Sequence, residues 1–278
     1  MENGLINLFK GNYMIELNKA DFPSILPLVT NSNQAVIPLS ITQGINPGRI
    51  FVDQKENPAI VLIWTTVGYY FLFGDPASAN LSQISQIISE IFVPASQDMG
   101  ETGFILIPSR DDWKPFIASI LSGQEVIEIF RMPHSLDKQQ FLQTMEKLPN
   151  LPKGFEIREI DTDLAKRIGI LASWATIEDF LNNGVGFAIM KDDQLAAYCY
   201  SVFLSEDAIE IDVYTNENFR KLGLAKVVSS TLIDYCLENG KKPNWECFWN
   251  NSPSLRLAEK LGYSAKKEYP VYFWEMGG

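Results

Sequence analysis

Arg220, Lys221, Leu222, Gly223, Leu224 and Ala225 form a short run between a strand-like and a helix-like segment. Before the run, Ile209, Ile211, Val213 and Thr215 alternate with Glu210, Asp212 and Tyr214, which puts the two sets on opposite faces of a strand. After it, Ala225, Val228, Leu232 and Tyr235 recur at helical spacing, and Gly240 and Pro243 are stop signals. The start of a helix leaves about four backbone N–H groups unpaired and carries roughly half a positive charge, so this turn can hold a pyrophosphate. Gly223 lets the backbone approach phosphate closely, small Ala225 keeps the helix tight against the strand, and Lys221 adds a charge contact. A glycine in such a run can equally serve the turn alone, so the surrounding elements decide.

Those elements follow a regular order. Residues 155–160 alternate as a strand, and residues 162–171 and 176–181 read as helices ended by Asn182, Asn183 and Gly184. Strands at 186–190 and 194–203 are joined by the turn Lys191, Asp192 and Asp193, and the strand 208–215 comes next. After the helix, residues 245–249 form a strand. A further helix then begins with Ser252 as N-cap and Pro253 at its first position, and Gly262 is its left-handed stop. Upstream, residues 135–148 read as a helix capped by Ser135. Pro149, Pro152 and Gly154 cannot continue it, which divides the chain into 1–148, a linker at 149–154, and 155–278. The N-terminal part echoes the C-terminal one. Two strands at 48–53 and 59–64 flank a charged turn at 54–57, and a strand at 103–107, a helix through 113–121, Gly123 and a strand at 125–130 follow. A diverged duplication explains both matches, as would two unrelated hairpins.

Composition narrows the chemistry. With 278 residues, 46% of them hydrophobic, the chain has apolar material for a core in each of two domains. A formal net charge of -11 without a basic patch disfavours nucleic acid and anionic membranes as partners. The longest apolar stretch, 59–73, is shorter than the ~20 residues of a spanning helix and reads as two buried strands joined by a turn. Cys199, Cys236 and Cys247 lack the spacing of a disulfide framework or zinc knuckle, which fits reduced thiols and a cytoplasmic location. The single histidine, His134, next to Pro133, is expected at the surface; no metal site is expected.

The run from Arg220 to Ala225 resembles the acyl-CoA loop Q/R-x-x-G-x-G/A of the GCN5-related N-acetyltransferase (GNAT) family, which follows that family's fourth strand. Asn251, Ser254 and the Gly262, Tyr263 ending resemble the family's N-x-x-A/S helix that closes in Gly-Phe or Gly-Tyr. Both lie in order within the C-terminal half, and the two-part chain looks closest to a bacterial branch that includes antibiotic self-resistance acetyltransferases. The resemblance implies an α+β fold: a mixed, mostly antiparallel sheet flanked by helices in the C-terminal half, with an N-terminal α/β half that is a candidate diverged repeat. It implies acetyl-CoA as co-substrate; the excess of acidic residues favours a small-molecule amine over a protein as acceptor, the lone histidine and the cysteine spacing argue for no metal, and a homodimer is a candidate assembly. The resemblance also implies that the strand ending at 213–215 splays from its neighbour so that pantetheine pairs with its backbone. The cofactor contacts are then Val213, Thr215, Arg220, Lys221, Leu222, Gly223, Leu224, Ala225, Asn251 and Ser254.

Acetyl transfer to an amine needs a neutral amine, a polarised carbonyl and a stabilised thiolate. A backbone N–H near Thr215 could polarise the carbonyl. Glu246, Asp212 and Glu210 are the candidate bases, Glu246 standing where some family members keep that carboxylate; each also reads as an ordinary strand carboxylate. Many family members carry a tyrosine four residues before the helix-ending glycine to protonate the thiolate. Here that position is Ala258, and Tyr263, Tyr269 and Tyr272 are the substitutes in reach of the sequence argument. Loss of that acid, together with an N-terminal half that lacks a phosphate loop, leaves a second reading open: a non-catalytic acyl-CoA sensor or scaffold.

Overall fold

The structure, a computed structural model, describes residues 13–30 and 36–275. The N-terminal half supplies β1 (Ile15–Glu16), β2 (Gly48–Val52), β3 (Ile60–Thr65), β4 (Tyr69–Gly74), β5 (Gly103–Pro108) and β6 (Ile127–Leu136). The C-terminal half supplies β7 (Phe155–Glu159), β8 (Gly186–Lys191), β9 (Gln194–Leu204), β10 (Ala208–Thr215), β11 (Lys242–Asn244), β12 (Glu246–Phe248), β13 (Tyr263–Ala265) and β14 (Tyr269–Glu275). The first five strands of each half repeat one order. β1 to β4 run antiparallel and β4 pairs parallel with β5; β7 to β10 run antiparallel and β10 pairs parallel with β11.

The closing strands are exchanged. β14, the last strand of the chain, lies between β5 and β6 of the N-terminal half, and β6 lies between β14 and β12 while also pairing with β13. The segment 149–154 carries no helix or strand, yet four pairings of the larger sheet, β5–β14, β14–β6, β6–β12 and β6–β13, join strands from its two sides. Val271, Tyr272 and Trp274 of β14 are buried inside the other half. At about 1.5–3 kcal/mol for each large apolar side chain, that burial ties the two halves into one folding unit.

Strand periodicity decides where the core sits. Ile60, Leu62 and Trp64 of β3 enter one apolar cluster and Val61 and Ile63 the opposite one; Tyr70 and Leu72 against Phe71 and Phe73 divide in the same way on β4. The large sheet is therefore covered on both faces. Its second face shares a cluster with Phe203 of β9, so this cluster fills the junction between the two sheets. Asn46 also spans the junction: its Nδ2 donates to the Ser173 carbonyl at 2.9 Å and its Oδ1 accepts from the Leu204 N–H at 2.9 Å.

Local signals were read correctly at several ends and shifted at others. The helix expected from Ser135 is Lys138–Met145, because residues 134–136 pair with β13 and Asp137 caps the helix, accepting from the N–H groups of Gln139 and Gln140. The helix expected at 252 is Ser252–Lys260 with Asn251 as its cap; Asn251 Oδ1 accepts from the Ser254 N–H at 3.2 Å. Gly262 has φ +88°, and an added Cβ would stand 2.8 Å from the Phe141 backbone nitrogen, so this stop is also a close approach between helices. His134 is buried, contrary to the surface position expected for it. Its strand is interior to the exchanged sheet, its N–H donates to the Trp245 carbonyl at 2.9 Å, and burial pushes its imidazole pKa down.

Candidate active site

β10 pairs with β11 only over Ala208, Ile209 and Glu210. Beyond Asn244 the chain leaves β10: Trp245 and β12 turn to pair with β6 instead. The two strands therefore fork at Glu210, and among the described residues no strand pairs with 211–215 on the open side. A register shift between Glu210 and Ile211 in the β9–β10 pairing marks the same point. The open edge leads through residues 216–222 to helix Leu224–Glu238, whose cap is Gly223 at φ +79° with no side chain bonded to it. The first N–H groups of that helix face the cleft without a side-chain cap. The fork encloses a cavity of about 1010 Å³.

Twelve of the residues singled out from the sequence line this cavity: Glu210, Asp212 and Glu246; Val213 and Thr215; Arg220, Lys221, Gly223, Leu224 and Ala225; Asn251 and Ser254. Leu222 lies outside the lining and is exposed. Thr215 Oγ1 is buried with no hydrogen-bond partner, a polar atom left free beside the open edge. Asn251 is occupied as a helix cap, and Ser254 Oγ accepts from Trp245 Nε1 at 3.1 Å.

The three carboxylates have different surroundings. Glu246 forms a buried ion pair with Arg131, Nε to Oε1 2.5 Å, and Tyr269 donates its hydroxyl to the same oxygen. Glu210 accepts from Asn244 Nδ2 at 2.5 Å. Burial, then repulsion from Glu246, outweigh Arg131 and this hydrogen bond and push Glu210 up to about 8. Burial also raises Asp212, less strongly opposed by the Val213 backbone. Burial works against the Arg131 charge, but Glu246, Tyr69, Tyr269 and Glu210 more than offset it and hold the guanidinium protonated.

Arg131 and Tyr69 were not identified from the sequence. Arg131 Nη1 donates to the Tyr69 hydroxyl at 3.0 Å, and its guanidinium lies 5.3 Å from the Tyr69 ring centre and 5.1 Å from that of Phe248. Both line the cavity from the N-terminal half. The one available signal was a cation inside the otherwise apolar run 129–133 of β6.

Ala258, at the position of the tyrosine acid, is fully buried against Phe141, Ile233 and Trp245. Of the expected substitutes, Tyr263 donates to the Pro243 carbonyl at 3.0 Å, Tyr272 is in the N-terminal core and Tyr269 is bound to Glu246. None of these three lines the cavity, whose tyrosines are Tyr69 and Tyr214.

Forked strands facing the uncapped start of a helix, with buried carboxylates at the fork, are the architecture of an acyl-group transferase. The GNAT acetyltransferase family model matches residues 26–272, and the chain belongs to that family. It is 30% identical over 264 residues to an uncharacterized N-acetyltransferase, YdfB, of Bacillus subtilis (strain 168), covering 93% of this chain and 97% of that one. A GCN5-related N-acetyltransferase-like protein from Streptococcus suis is 25% identical with a TM-score of 0.71, over 92% of this chain and 99% of that chain. A tandem GNAT protein from the clavulanic acid biosynthesis pathway shares the fold at 12% identity and a TM-score of 0.61, over 95% of this chain and 98% of that chain. The chain is thus an acetyltransferase of this family with a mixed α/β fold.

Proposed function

We propose that the protein transfers an acetyl group from acetyl-CoA to a primary amine, with Glu210 receiving the amine proton. The observation that carries this reading is the position of Glu210 at the fork, where the open edge of β10 begins and runs toward Gly223. The free N–H groups at the start of helix 224–238 suit a pyrophosphate, with Arg220 and Lys221 adjacent. Residues 213–215 offer backbone groups to an extended pantetheine chain in the manner of an added strand, and Thr215 adds its unpartnered hydroxyl. Acetyl-CoA, when bound, supplies an acyl thioester whose thiol, with pKa near 8.5, is a fair leaving group without a tyrosine acid.

Glu210 suits proton transfer better than Glu246. A carboxyl near 8 exchanges its proton close to neutral pH, which is the condition for an efficient general base. Glu246 is already committed to Arg131 and Tyr269. The N–H groups near Thr215 stand on the open edge as donors for the carbonyl oxygen. Incubation with acetyl-CoA and a panel of amines, read by thiol release and by the mass gain of one acetyl group, tests this function. CoA binding without any acetylated product would favour the sensor reading instead.

A further inference from the structure

The cavity has two chemically distinct ends. Arg220, Lys221, Lys226, Arg256 and Lys260 line it from the turn at Gly223 and from helices 224–238 and 252–260. Away from those helices, beside the carboxylates and Arg131, one wall of the lining is largely apolar: Ile37, Val67, Tyr69, Val202, Phe203 and Phe248 belong to the cluster at the sheet junction or pack against it. This wall adjoins the carboxylates. Phe203 stands opposite Glu210 in the β9–β10 register, and Phe248 lies two places along β12 from Glu246, on the same face. Arg131 is the cation here among the described lining residues, and its ion pair is with Glu246, not with Glu210 or Asp212.

We infer that the acceptor is a primary amine borne on an apolar body, an alkyl chain or aromatic ring, which lies against Ile37, Val67 and Tyr69 while its nitrogen reaches Glu210. This rests on the acetyltransferase reading and specifies the other substrate. In its ionised form Glu210, with Asp212 beside it, attracts the amine as a cation and then takes its proton. A second ammonium farther along the acceptor would face a wall that offers it no carboxylate and whose Tyr69 hydroxyl already accepts from the Arg131 cation. Desolvating such a charge without a partner is costly. The N-terminal half, which lacks a phosphate loop, thereby selects the acceptor.

The test is kcat/KM of the full chain with acetyl-CoA for straight-chain monoamines from propylamine to octylamine, for phenethylamine, and for hexamethylenediamine, lysine and ethanolamine. The expected result is a rise of about 3- to 4-fold per added methylene until the wall is covered, and a preference of roughly tenfold or more for hexylamine over hexamethylenediamine. Val67→Asp should abolish the chain-length dependence while acetyl-CoA still raises Tm; Ile37→Thr gives the same readout if Val67→Asp fails to fold. A flat chain-length series, or a preference for the diamine or lysine, overturns the inference and leaves acetyl transfer standing. Acetyl-CoA binding with no amine acetylated overturns both.

Discussion

Arg131 of β6 and Glu246 of β12 form an ion pair whose side chains are 7% and 8% exposed, and the two residues come from opposite halves of the chain. The pair exists because β6 is inserted beside β12. Removing one partner of a buried pair leaves the other charge unpaired, which costs about 3–5 kcal/mol. Arg131→Met should therefore lower unfolding free energy by that order in urea titrations, and Arg131→Met combined with Glu246→Met should recover part of it. A loss below about 1 kcal/mol, the range of exposed pairs, would mean the charges are solvated.

Glu246→Gln separates a structural carboxylate from a base. It should lower Tm while leaving the rate per folded molecule within about tenfold of wild type, since the proton passes to another group. It also removes the repulsion that helps raise Glu210, so the alkaline-rising limb of the pH–rate profile should move to lower pH. A drop of about 10² or more at unchanged stability would return the base to Glu246.

Glu210 gives the molecule a pH signature. Its folded pKa, about 8, is above its ordinary 4.5, so its contribution to stability is fully present below 4.5 and is lost as pH rises through about 8. Catalysis has the opposite sign, because the base works deprotonated: kcat/KM should rise with pH toward 8. Glu210→Gln should flatten the stability change in melts at pH 6 to 9 and reduce acetylation by about 10² or more. Equal pH dependence of wild type and variant in the melts would contradict the burial of this carboxyl.

The exchange of closing strands makes the halves interdependent. A chain ending before β14 leaves the facing edges of β5 and β6 without a partner in the middle of the large sheet, so it should not give a cooperative melt; residues 1–148 alone should fail likewise. Sharp amide dispersion in the isolated half, or micromolar CoA binding by it, would overturn this.

Much of the site was legible in the sequence because its signals are local. The glycine turn at 223, the alternation of β10 and the proline-led helix after Asn251 each follow from neighbouring residues, and the structure brings them to one cavity. Arg131, Tyr69 and His134 were not legible, because their surroundings depend on strands paired far apart in the chain. The helix start expected at Ser135 was misplaced for the same reason: β13 claims residues 134–136 for a strand. The resemblance pointed to Ala258 as a lost acid, but only packing shows that the position faces core rather than cleft.

The most direct test is amine-dependent thiol release from acetyl-CoA by wild type and by Gly223→Glu, with the product examined by mass spectrometry. An added Cβ at Gly223 meets nothing nearer than Pro149 Cγ at 3.9 Å, so the variant has room to fold, although φ +79° costs it about 1–2 kcal/mol. Its carboxylate would repel the phosphates that the uncapped helix start attracts. The predicted result is an amine that gains one acetyl group with wild type, and neither thiol release nor a CoA-induced rise in Tm with folded Gly223→Glu. Wild type that binds acetyl-CoA yet acetylates no amine, or Gly223→Glu that turns over normally, would contradict acetyl transfer at this fork.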